Sequence, residues 1–75
     1  MQRYANRSGD SGVTAYEIGR GWIVVEFVEG ATYFYNAHEP GPAAVAEMQR
    51  LAKAGQGLSG YISREVKDRY AKQLR

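Results

Sequence analysis

Trp22-Ile23-Val24-Val25-Glu26-Phe27-Val28, then Glu29-Gly30, then Ala31-Thr32-Tyr33-Phe34-Tyr35, is the stretch on which the fold depends. Its first seven residues hold four β-branched side chains and two aromatics, which crowd a helix but suit a pleated sheet. Side chains alternate across a strand, so Ile23, Val25 and Phe27 share one face and Trp22, Val24, Glu26 and Val28 the other. The charge of Glu26 marks that second face as at least partly wet. Ala31–Tyr35 is β-rich in turn and follows after a short loop, which predicts a β-hairpin. Loop length then sets the register. A turn on Glu29-Gly30 alone places Val25 opposite Phe34 and leaves Tyr33 and Tyr35 as an exposed platform beside Val24 and Glu26. A loop Val28–Gly30 with a glycine bulge places Val25 opposite Tyr33 and Ile23 opposite Tyr35, and packs both rings with Phe27. The second register is favoured, because a small domain needs its large apolar groups inside and a tyrosine can bury its ring while the hydroxyl finds a partner.

Upstream, Val13–Ile18 mixes β-branched and aromatic residues and reads as a first strand, with Gly19-Arg20-Gly21 as the turn. Residues 1–12 cluster Asn6, Ser8, Gly9, Asp10, Ser11 and Gly12, turn chemistry that predicts a flexible leader. Downstream, Glu39-Pro40-Gly41-Pro42 ends the sheet, and Pro42 suits a helix start. Over Ala43–Ala54 the residues Ala44, Met48, Leu51 and Ala52 fall at helical spacing toward the sheet, with Glu47, Arg50 and Lys53 outward. Gly55 stops this helix. A second helix is predicted over Tyr61–Gln73, with Ser59 as N-cap and Ile62, Val66, Tyr70 and Leu74 as an apolar stripe. The expected architecture is therefore an α+β domain over residues 13–75, a three-stranded antiparallel β-meander followed by two α-helices packed on one face.

The chain's 75 residues allow one small domain, and its 44% apolar and 24% charged composition is that of a folded one. Cysteine is absent, which excludes disulfides, thiolate metal sites and a cysteine nucleophile, and the single His38 argues against a histidine-built zinc site. The longest strictly apolar run, Trp22–Val25, is far short of a membrane span, and the first residues have no signal-peptide pattern, so a cytoplasmic protein with no membrane contact is expected.

Gly55-Gln56-Gly57-Leu58-Ser59-Gly60 spells G-x-G-x-x-G, yet a helix precedes it where a dinucleotide fingerprint requires a strand, so it reads as a helix–helix linker. Amides at the start of the second helix, with Arg64 nearby, offer at most one phosphate contact. Serines 8, 11, 59 and 63 and the lone His38 suggest no triad, and Glu26 with Glu29 reads as an edge kept soluble. No catalytic, cofactor or metal site is expected.

Ile23-x-Val25-x-Phe27-x-x-Gly30-x-x-Tyr33-x-Tyr35, with Glu39-Pro40, Leu51-Ala52-Lys53-Ala54-Gly55 and Tyr61-Ile62-x-x-x-Val66, resembles the KTSC domain over roughly residues 11–70. That family is named for its occurrence at the C-terminus of some lysyl-tRNA synthetases and also forms short stand-alone proteins. Ala52-Lys53-Ala54 and Glu29 stand where the family usually has a serine and an asparagine, as in a divergent branch. The resemblance implies a β-meander with two helices, a possible RNA connection, and no catalytic site.

Charge distribution supplies two candidate surfaces. Residues 1–39 carry three arginines against five carboxylates, net −2, and residues 40–75 carry seven bases against three acids, net +4. Arg50, Lys53, Arg64, Lys67 and Lys72 are the candidate phosphate contacts of an RNA-binding accessory module. Against this, Glu47 with Arg50, Glu65 with Arg69, and Asp68 with Lys72 have the spacing of self-paired helix surface charges. The favoured expectation is a non-catalytic protein-interaction module that uses Trp22, Val24 and Val28 against itself or another protein chain.

Overall fold

The central hairpin forms in the bulged register. The computed structural model describes all residues, Met1–Arg75. Val25 lies opposite Tyr33 and Ile23 opposite Tyr35. Phe27 N–H donates to Ala31 O and Gly30 N–H to Phe27 O, both at 2.8 Å. Gly30 takes φ 99°, a value that disfavours any side chain, so the three-residue loop closes at little cost. Around this hairpin the chain builds β1 (Gln2–Arg3), β2 (Val13–Gly19), β3 (Trp22–Phe27), β4 (Thr32–Asn36), α1 (Pro42–Ala54), α2 (Leu58–Tyr61) and β5 (Lys72–Gln73). A π-helical turn, Ile62–Val66, continues α2.

The five strands form one sheet in the order β1-β2-β3-β4-β5, with every neighbouring pair antiparallel. This corrects the expected three-stranded meander followed by two α-helices. The second helix does not run over Tyr61–Gln73: its regular part is short, and Lys67 N–H reaches back to Ile62 O while Lys67 itself takes φ 56°. The chain leaves the helical path because β4 would otherwise present a bare row of N–H and C=O groups. Ala71 N–H donates to Phe34 O at 2.8 Å and Leu74 N–H to Thr32 O at 2.7 Å, so the tail covers that edge. Ile62 and Val66 keep their helical partnership in the core, whereas Tyr70 stacks on Tyr33 with centroids 4.5 Å apart and Leu74 is 50% exposed.

Residues 1–12, expected as a leader, contribute β1 and a core side chain. Tyr4 is buried among Val13, Tyr16, Leu58 and Ile62, and its hydroxyl accepts the Leu58 N–H at 3.2 Å. Arg7 fastens the same segment to the end of α1, with Nε on Ala54 O at 2.9 Å and N–H on Gly55 O at 2.7 Å. Gly55 takes φ 77°, and a Cβ there would stand 2.6 Å from Ala5 Cβ, so both backbone conformation and crowding demand glycine.

One sheet face packs under α1 and α2. Ile23, Val25 and Tyr35 meet Val45, Met48, Ala52, Leu58, Ile62 and Val66 there, and Phe27 and Tyr33 pack against the edge of the same cluster. Each fully buried aliphatic of this set contributes about 1.5–3 kcal/mol. Val45, not singled out by the helical spacing of Ala44 and Met48, is the most deeply buried residue in the first turn of α1. Gln49 then ties α1 to the β2–β3 turn, its Nε2 donating to Gly19 O at 3.0 Å and Trp22 O at 2.9 Å.

Candidate interaction face

The other face of the sheet has no helix on it. Alternation places Trp22, Val24 and Glu26 of β3 there, beside Ala15, Glu17 and Gly19 of β2 and Thr32, Phe34 and Asn36 of β4. Cross-strand partners form rows. Glu17, Val24, Phe34 and Lys72 make one continuous row from β2 to β5. Ala15, Glu26 and Thr32 make a second, with Arg3 at its β1 end. Gly19, Trp22 and Asn36 make a third.

Trp22 lies flat across Gly19: a Cβ there would fall 2.0 Å from indole Cε2, so only a hydrogen fits under the ring. The indole also leans on Phe34 with centroids 5.8 Å apart and planes tilted by 37°. Between this ring pair and its charged neighbours Val24 is reduced to 7% exposure, although it stands outside the helix-covered core cluster. Two of the three expected contact residues therefore share a patch, half-buried Trp22 as its surface and Val24 as its floor. Val28 does not join them; it sits in the hairpin loop, 72% exposed. Phe34 is the member that sequence reasoning missed, and the register Val24 opposite Phe34 was the signal that would have found it. Leu74 and Met1, 50% and 61% exposed, line a shallow hollow with Glu26 and Thr32 at the border of the patch.

The five candidate phosphate contacts do not converge. Arg50 is bound through Nε and Nη2 to both carboxylate oxygens of Glu47, at 3.0 and 2.5 Å. That hydrogen-bonded pairing holds the Glu47 carboxyl below the usual carboxylate range. Lys53 lines a cleft of about 480 Å³ beside Gln2, Tyr16 and Ile18, at the β1–β2 side of the molecule. Arg64 folds back so that its Nη1 would lie 2.9 Å from a Cβ on Gly60. Lys67 occupies the turn after the π-helical segment, and Lys72 stands on β5 next to Phe34. The β1 and β5 edges are four strand spacings, about 19 Å, apart. The other expected ion pairs dissolve with the second helix: Arg69 donates to the Glu65 backbone O at 3.0 Å, and Asp68 and Lys72 no longer share a helical face.

A polar hollow of about 300 Å³ is lined by Ser8, Asp10, Ser11, Gly57, Ser59 and Gly60, without a histidine. His38 is exposed in the β4–α1 loop, where Asn36 Oδ1 accepts its backbone N–H at 3.0 Å. The amides at the start of the predicted second helix are engaged within the helix, Tyr61 N–H donating to Gly57 O at 3.0 Å and Ile62 N–H to Leu58 O. No group of three or more His, Asp or Glu side chains comes together, and no helix is long and apolar enough to cross a membrane.

The chain matches no protein-family model, no curated protein and no solved structure, so its resemblance to the KTSC domain rests on the residues quoted above.

Proposed function

We propose that this chain is a small, non-catalytic, cytoplasmic protein-interaction module of the KTSC kind, which docks a protein chain on the helix-free face of its sheet. The observation that carries this reading is the Trp22–Phe34 ring pair over Val24, an aromatic and aliphatic centre on a sheet side that the molecule itself leaves uncovered. Aromatic anchors with a polar border are the composition that contributes most to protein–protein binding. The RNA-binding reading takes second place because Arg50, Lys53, Arg64, Lys67 and Lys72 are dispersed over both edges and the helix side.

A photo-crosslinking amino acid at position 34, introduced in living cells, tests the docking face. The expected result is one specific protein adduct that disappears with Trp22→Ser and does not form when the crosslinker replaces exposed Ala43 on α1. Equal labelling from positions 34 and 43, or no adduct at all, removes the reading.

A further inference from the structure

Building on that reading, we infer that the occupant of the helix-free face is a second copy of this chain, packed sheet to sheet about a two-fold axis that runs along the strands between β3 and β4. The argument starts from charge. The face carries Glu17 and Glu26 against Arg3, Lys72 and Arg75, whose Nη1 stands 3.9 Å from Glu26 Oε2; both signs are present and they are set apart across the strands, as a self-complementary surface requires.

The order within the rows gives the axis. In the row Glu17, Val24, Phe34, Lys72 the acid stands at one end, the base at the other, and the two apolar residues in the middle. Rotation about a line between Val24 and Phe34 reverses the row and lays it on itself. Glu17 then faces the partner's Lys72, Val24 faces the partner's Phe34, and both contacts occur twice. In the neighbouring row Glu26 faces the partner's Thr32, and Ala15 faces the partner's Leu74. Trp22 faces the partner's Asn36. Within these rows no acid faces an acid and no base a base, and Glu26 keeps its own Arg75 at 3.9 Å. Sheets packed in this aligned fashion stand about 10 Å apart and cross at about 30°. Glu17 and Lys72 lie one and a half strand spacings, about 7 Å, from the axis, so such a crossing displaces them by only about 4 Å, within reach of their flexible side chains.

Sedimentation equilibrium on the intact chain, with charge-swapped variants, tests the arrangement. The wild type is expected to show a reversible monomer–dimer equilibrium. Glu17→Lys and Lys72→Glu, both at the face's border, each place like charges across the axis twice and are expected to weaken self-association at least tenfold. An equimolar mixture of the two variants is expected to recover dimers, because every crossing pair is then of opposite sign, and the double variant is expected to recover them alone. Isotope-filtered nuclear Overhauser spectra on mixed-label wild type supply a readout that needs no substitution: a cross-peak between Val24 methyls of one copy and the Phe34 ring of the other. A mixture that associates no better than its components, or dimers without that cross-peak, overturns the arrangement. A monomeric wild type that still yields a Trp22-dependent adduct with a different protein from position 34 overturns the second copy and leaves the docking face standing. A monomer without any such adduct removes both.

Discussion

Gly19 and Trp22 are a matched pair, and the match is steric. Gly19→Ala puts a Cβ 2.0 Å from the indole, so the ring must swing off Phe34 or the β2–β3 turn must open. The expected cost is about 1–3 kcal/mol in denaturant unfolding. Trp22 is the only tryptophan, so its emission reports the displacement directly as a red shift. Gly12→Ala, whose Cβ would stand 3.9 Å from Phe27, serves as the benign comparison. Tyr35 gives a second residue-scale prediction. Burial, followed by the neighbouring Tyr33 and Tyr70, raises its phenol well above the ordinary value. The folded state thus holds this proton more tightly than the unfolded one, where the value is about 10. The sign follows: Tyr35's contribution is intact below about pH 10 and is lost as pH rises from there toward the raised folded value. Urea midpoints at pH 8 and pH 11 are expected to fall less in Tyr35→Phe than in the wild type. The alternation of Ile23, Val25 and Phe27 made the dry face legible in the sequence. The burial of Val24 was not legible, because it depends on Phe34 from the next strand and on an indole whose position is set by a missing side chain at Gly19.

At the scale of elements, the two short edge strands explain what pattern reading could not supply. The central hairpin announces itself in fourteen consecutive residues rich in β-branched and aromatic types. β1 and β5 are two residues each and polar in sequence, so neither periodicity nor propensity marks them; they exist because β2 and β4 have edges to fill. The stripe Ile62, Val66, Tyr70, Leu74 was ambiguous for a definite reason: a spacing of four fits one helical face and also falls on even strand positions. Of the candidate contact residues, Trp22 and Val24 could be placed on one face from β3 alone, while Lys72 could not be placed beside Phe34 without knowing that its segment is a strand. Tyr4 shows how firmly β1 is tied in. Tyr4→Phe keeps the ring but leaves the Leu58 N–H without its partner, at an expected cost of about 1–3 kcal/mol. Amide exchange at Leu58 is the direct measurement, and it is expected to accelerate more than exchange at Val25 on the central strand.

Over the whole molecule, 30 × 23 × 22 Å, the formal charge of +2 is spread rather than focused. A polyanion that touches one side neutralises few bases at a time, and counterion release scales with that number. Titration of labelled single-stranded RNA at about 50 mM salt is therefore expected to show no saturable binding tighter than about 10⁻⁴ M. Saturable binding with a steep salt slope would reverse the ranking of the two functional readings.

The covering of β4 by the tail also has a temporal meaning. Lys72–Gln73 is the last segment of the fold to be synthesised, after β4 and both helical segments. At about 5–20 residues per second, Lys72 is joined about 2–8 s after Phe34, its partner across β4 and β5, so the outer edge of β4 is complete in sequence well before the strand that covers it. An unpaired edge is a template for another chain, so whenever the tail is not yet in place, or is peeled away, β4 is where misassembly would begin.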